Sequence, residues 1–119
     1  MVTGNPLLLI RRTQQSFQFN MSKSHRHVLI AITQNRSIGC DIERHNEDLD
    51  FNAIINNYFT KQEVKFIQDS NYQPISFFDY WAAKEAYIKA RGEGLSLPLD
   101  QFTLHIDGND NTSLLENRI

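Results

Sequence analysis

Cysteine is almost absent from this chain: Cys40 is the only one in 119 residues. No internal disulfide can form, so packing alone must hold the fold. The lone thiol, set between Gly39 and Asp41, suits a strand interior better than a nucleophile, and it points to a reducing compartment. Long hydrophobic runs are missing too. Pro6-Leu-Leu-Leu-Ile10 falls far short of the roughly 20 apolar residues that cross a bilayer. No positive residue precedes it, as a signal peptide would require. A cytoplasmic protein without a membrane partner is expected. No basic run interleaved with aromatics occurs, which argues against nucleic acid. His25, His27, His45 and His105 are scattered and no cysteine pair accompanies them, so zinc is not expected. Gly-x-Ser-x-Gly and phosphate-cradling glycine loops are also absent, which removes support for hydrolase and nucleoside triphosphatase chemistry. There is no internal repeat and no low-complexity segment.

What is present fits one small domain with a single core. The net charge of −2 hides an asymmetry. Residues 1–44 carry six Lys/Arg against two acids, and the remainder six against twelve. A basic front end can attract an anionic ligand or an acidic protein.

Three short stretches carry chemistry. In Trp81-Ala-Ala-Lys84-Glu85-Ala-Tyr-Ile-Lys89-Ala-Arg-Gly92-Glu-Gly94-Leu95, helical spacing puts Glu85 and Lys89 one turn apart on one face, with Lys84 beside them. That set could hold a divalent metal and grip a phosphate, or be a solvated ion pair. In Ser37-Ile-Gly39-Cys-Asp41-Ile-Glu43, read as a strand end after Val28–Ile32, alternation sends Asp41 and Glu43 to one side. Two carboxylates so placed invite a hard cation with oxygen ligands; the bland alternative is a polar strand edge entering an acidic loop. Phe19-Asn-Met-Ser22-Lys23-Ser24-His25 reads as a turn before a strand. Its two hydroxyls, amide and cation could serve phosphate oxygens, or be an ordinary polar turn.

In this order the three stretches resemble the motifs of the 4′-phosphopantetheinyl transferases of the surfactin-synthetase type, and Leu95-Ser-Leu-Pro-Leu-Asp-Gln-Phe102 resembles the family's continuation. The resemblance covers about residues 4 to 104. Lys23 stands where the family has histidine, and Asn5 of Gly4-Asn5-Pro6 stands where it has a lysine. The resemblance implies transfer of the 4′-phosphopantetheine arm of coenzyme A to a serine of an acyl or peptidyl carrier protein, releasing 3′,5′-ADP. It implies magnesium held by Asp41, Glu43 and Glu85. Glu85, directly or through a water, would take the serine proton, and Lys89 would stabilise the leaving phosphate. Ser22, Lys23, Lys84 and Lys89 would bind phosphate oxygens of the coenzyme. Family enzymes consist of two similar halves, so the chain is expected to be a domain shortened at both ends: 1–18 a remnant of the first half, 19–106 the motif-bearing core, 107–119 a tail. Two alternatives follow from that length: a catalytically silent remnant, and a homo-oligomer in which a second copy replaces the missing half.

The rest reads as scaffold. Asp50 can cap a helix over about 51–58, and Thr60-Lys-Gln-Glu63 matches a capping box opening a second helix to about Asp69, which buries Val64, Phe66 or Ile67. A third helix is predicted from Ser76, with Phe77, Phe78, Trp81 and Ala82 as its packing face and Gly92 ending it. Trp81 is expected to be a core anchor. A strand over about Gln101–Ile106 completes an α+β fold, a small antiparallel sheet with helices packed on one face, which the resemblance implies is half of the two-half transferase architecture.

Overall fold

Local capping chemistry sets the helical layer. The computed structural model describes residues 16–46, 48, 50–71, 73–92 and 98–119. Helix α1 spans Phe51–Tyr58, and the Asp50 side chain accepts from the Ala53 N–H. Helix α2 spans Lys61–Gln68 and opens with both halves of the capping box: Thr60 Oγ1 accepts from the Glu63 N–H, and Glu63 Oε1 from the Thr60 N–H. Helix α3 spans Gln73–Arg91, three residues longer at its start than expected. Pro74 does not prevent this, because a first-turn N–H has no helical partner to lose. The chain leaves α3 through Gly92 at φ 70°, the left-handed conformation that glycine adopts without steric cost.

The fold is α+β, and among the described residues its strands form two separate antiparallel hairpins. In the first, β1 (Phe17–Ser24) pairs with β2 (His27–Gln34). The stretch 19–25, expected as a turn, is therefore mostly strand, and the turn is His25-Arg26, with His25 at φ 56°. In the second, β3 (Phe102–Ile106) pairs with β4 (Thr112–Asn117), with a register shift at Thr103/Leu104. The stretch 107–119, expected as a tail, contains a turn and strand β4. Asp107 ties that turn, its carboxylate accepting from the Asn109 and Asn111 N–H groups. These bonds hold the carboxyl below its usual pKa. Gly4-Asn5-Pro6, and nearly all of the expected remnant 1–18, lie outside the described residues.

The main core joins α1, α2 and α3 through Ile55, Phe59, Ile67, Phe77, Phe78 and Tyr80, and a second cluster packs Ile88 on Phe102 and Leu104. Between them lies a buried ion pair. Lys84 Nζ is 2.6 Å from Glu63 Oε1, and both side chains are fully buried. The ammonium also donates to the Phe102 carbonyl at 2.8 Å and lies 4.3 Å from that ring's centroid. Glu63 Oε2 accepts from the Leu104 N–H. One carboxylate thereby joins the start of α2, the middle of α3 and strand β3. Among the described residues no helix is long and apolar enough to cross a membrane.

Candidate functional site

The site forms where an extended segment, residues 37–46, is laid between β1 and α3. No strand is assigned to it, in contrast to the strand end expected at Asp41 and Glu43, because its amides bond to side chains instead of a neighbouring backbone. Asn20 Oδ1 accepts from the Cys40 N–H, Ser22 Oγ from the Ile42 N–H and Ser24 Oγ from the Arg44 N–H, each at 3.0 Å. The Cys40 thiol donates to the Asn20 carbonyl at 3.3 Å, a packed and buried role.

The odd-numbered residues of the segment meet α3 in reverse order. Gly39 lies so close that a Cβ there would be 1.9 Å from the Ala86 carbonyl oxygen and 2.5 Å from the Ala90 nitrogen. Only glycine permits that approach. Asp41 Oδ1 is 3.3 Å from Lys89 Nζ, which also donates to the Cys40 carbonyl at 3.0 Å. Glu43 and Trp81 share the lining of one cavity. His45 stacks on Phe78 with centroids 4.9 Å apart. Side-chain alternation in the segment and the α-helical turn together place Asp41, Glu43, Glu85 and Lys89 in one neighbourhood.

Their electrostatics reflect that proximity. Burial pushes the Glu43 carboxyl up to about 7, helped by hydrogen bonding and charge from Asp41 and then by the Glu85 charge; Trp81 acts the other way. Glu85 is raised by burial and then by Asp41, against the lowering influence of Lys89. Asp41 itself is nearly buried: Oδ1 takes the Ser22 hydroxyl and Lys89, while Oδ2 is buried with no partner. A buried carboxylate with an unpartnered oxygen, near two carboxyls that resist ionisation, suits a hard cation. Asp41, Glu43 and Glu85 would be its protein ligands. Among the described residues, no three His, Cys, Asp or Glu side chains are already drawn in to ligating distance.

Two cavities flank Trp81. One of about 350 Å³ is lined by Ser24, Glu43, Arg44, Asn46, Ile54, Phe77, Phe78 and Trp81. The other, about 440 Å³, has Tyr58, Trp81, Ile88, Pro98 and Leu99 as its apolar lining, with Glu85 and Asp100 beside them. Trp81 packs on the core through Phe59 and Phe77, as expected, and also divides the two recesses.

Two of the expected phosphate contacts are placed elsewhere. Lys84 is sealed in the core with Glu63, and burial lowers its pKa against the pull of that carboxylate; no phosphate reaches it in this arrangement. A signal existed: Lys84 follows Phe77 by seven residues and precedes Ile88 by four, on the helix stripe that is buried. Ser22 is buried and its hydroxyl serves Asp41 and the Ile42 amide. Lys23, next in the strand, is exposed on the opposite face, so Ser22 and Lys23 cannot grip one phosphate together. Asn20 and Ser24, read from the sequence only as possible phosphate donors, hold the segment's backbone instead, and the role of Gly39 has no counterpart in the sequence reading. The alternation of Asn20, Ser22 and Ser24 with the amides of 40, 42 and 44 becomes visible only once residues 17–24 are known to be a strand.

Residues 37–118 match the model of the 4′-phosphopantetheinyl transferase superfamily. The chain is 39% identical over 94 residues to the 4′-phosphopantetheinyl transferase Sfp of Bacillus subtilis, covering 76% of this chain and 41% of that protein. It is 38% identical over 99 residues to the transferase gsp of Aneurinibacillus migulanus, covering 82% and 40%. It is 34% identical over 96 residues to HetI of Nostoc sp., covering 78% and 40%. The chain thus spans about 40% of the length of these relatives. With its family match running from the carboxylate segment through α3 to the second hairpin, the chain belongs to the 4′-phosphopantetheinyl transferase superfamily.

Proposed function

We propose that this chain provides the carboxylate side of an active site that transfers 4′-phosphopantetheine from coenzyme A to a carrier-protein serine. The observation that carries this is the convergence of Asp41, Glu43, Glu85 and Lys89 from two separate motifs onto one face of α3. In the reaction the serine Oγ forms a bond to the β-phosphorus, and the pyrophosphate P–O bond to 3′,5′-ADP breaks. Magnesium, when held by Asp41, Glu43 and Glu85, would neutralise the pyrophosphate and fix its orientation. Glu85 accepts the serine proton. A carboxylate set beside Asp41 and Lys89 is a residue type that can take that proton. Lys89 retains a partly exposed ammonium, 30% accessible, and faces the charge that builds on the leaving phosphate. Lys23 would meet a phosphate only on the outward face of β1.

The test is mass spectrometry of apo acyl and peptidyl carrier proteins incubated with this chain, coenzyme A and magnesium. A gain of one phosphopantetheine arm, abolished by EDTA and by Glu85→Gln, is the expected result. No gain, with a full-length transferase as positive control, would favour a silent remnant.

A further inference from the structure

We propose that the inner face of β1, formed by Asn20, Ser22 and Ser24, is the register ruler that positions Asp41 and Glu43 against α3. This rests on the metal-holding role proposed above for those carboxylates. Successive inward side chains of a strand recur every two residues, about 6.6 Å apart, and so do alternate amides of an extended segment. The match is one to one: Asn20 to Cys40, Ser22 to Ile42, Ser24 to Arg44. A slip of one residue would turn Asp41 and Glu43 away from Glu85 and Lys89 and present Cys40 and Ile42 instead.

Ser22 is the central tooth. It is 7% exposed, and its single hydroxyl accepts from the Ile42 amide at 3.0 Å while donating to Asp41 Oδ1 at 3.2 Å. It therefore fixes both the backbone that carries the carboxylates and the rotamer of one of them. That donation engages Oδ1, while Oδ2 is buried without a partner. Gly39 closes the opposite side by letting the segment lie against the α3 backbone. Asn20, Ser22 and Ser24 are thus positioning residues that act through Asp41 and Glu43 and need touch neither coenzyme nor metal.

The test is a Mn²⁺ titration of the full chain followed by electron paramagnetic resonance, alongside amide hydrogen exchange. Wild-type binding that is lost in Asp41→Ala sets the reference. Ser22→Ala should weaken Mn²⁺ binding about tenfold or more, as loss of a partner behind a metal ligand does. It should also speed exchange at the Ile42 amide while the α3 amides stay protected, which shows that the chain remains folded. Ser22→Thr, which keeps the hydroxyl, should restore both readouts. Mn²⁺ affinity in Ser22→Ala within about twofold of wild type, against the tenfold expectation, would overturn the proposal. So would loss of metal-free coenzyme A binding, which would make Ser22 a ligand contact. If wild type and Asp41→Ala take up Mn²⁺ equally, the metal assignment itself falls, and this proposal with it.

Discussion

The helical layer and the first hairpin are held in opposite ways. Around α3 the side chains interlock: Ile67 and Phe77 are 1% and 2% exposed, and even a lysine and a glutamate are sealed in. On β1–β2 the outward face carries Phe19, Met21, Val28, Ile30 and Ile32 in the open, Ile32 at 61%. The hairpin's inward face bonds to the segment at 37–46 through hydroxyls and one amide. An isolated two-stranded hairpin is marginal in water, so this one takes its order from that segment and from its packing on α3. The difference teaches where precision resides. Glu85 and Lys89 are fixed by the rigid layer, whereas Asp41 and Glu43 are only as well placed as the polar contacts that pin them.

The largest effect should come from the rigid side. Lys84→Met leaves the Glu63 carboxylate buried without its cation, and breaking such a pair costs about 3–5 kcal/mol. A urea melt should show a large share of the chain's stability lost, since small domains hold only about 5–15 kcal/mol. The companion Lys23→Met, on the exposed face of β1, should stay within about 0.5 kcal/mol of wild type. Equal losses in both variants would erase the distinction between the two regions.

An intermediate effect is expected where the regions touch. Gly39→Ala forces a Cβ into the Ala86 carbonyl, an overpacking that costs about 1–3 kcal/mol. The strain falls on the weaker partner. Exchange at the Cys40 and Ile42 amides, which donate to Asn20 and Ser22, should accelerate while Ile67 and Phe77 remain protected. If the core amides open instead, α3 and not the segment is the part that yields.

What the chain alone revealed follows the same division. Both short helices were legible to within a residue because their caps are local: Asp50 and the Thr60/Glu63 box need only a few neighbours. Local periods pair Asp41 with Glu43 and Glu85 with Lys89; that the two pairs meet was expected only from the family resemblance, because it depends on the segment packing on α3. Strand β4 was not, since Leu114 and Leu115 are adjacent and the ladder carries a register shift. Lys84 and Ser22 were assigned to phosphate because both types bind it. Their actual partners, Glu63 twenty-one residues away and Asp41 nineteen away, depend on tertiary packing that no local pattern encodes.

The smallest effect is electrostatic, and it reports on the seam between the two regions. Glu43 has its pKa raised from 4.5 to about 7, first by burial and then by Asp41. In that window the folded chain keeps a proton that the unfolded chain has released. Stability contributed by Glu43 is therefore full below about pH 4.5 and is lost as the pH rises through about 7. Glu85, also raised, acts in the same direction, whereas Asp107, lowered, acts only at more acidic pH. Solvent screening of a half-buried carboxylate keeps the Glu43 contribution below about 1 kcal/mol. Urea midpoints across this range should decline for wild type and decline less for Glu43→Gln, which stays neutral throughout. Added Mg²⁺ should flatten the wild-type decline, because a cation relieves the repulsion that the proton otherwise relieves. An identical pH dependence in wild type and Glu43→Gln would mean that Glu43 stands apart from Asp41 in solution, and that the segment does not hold the two carboxylates together.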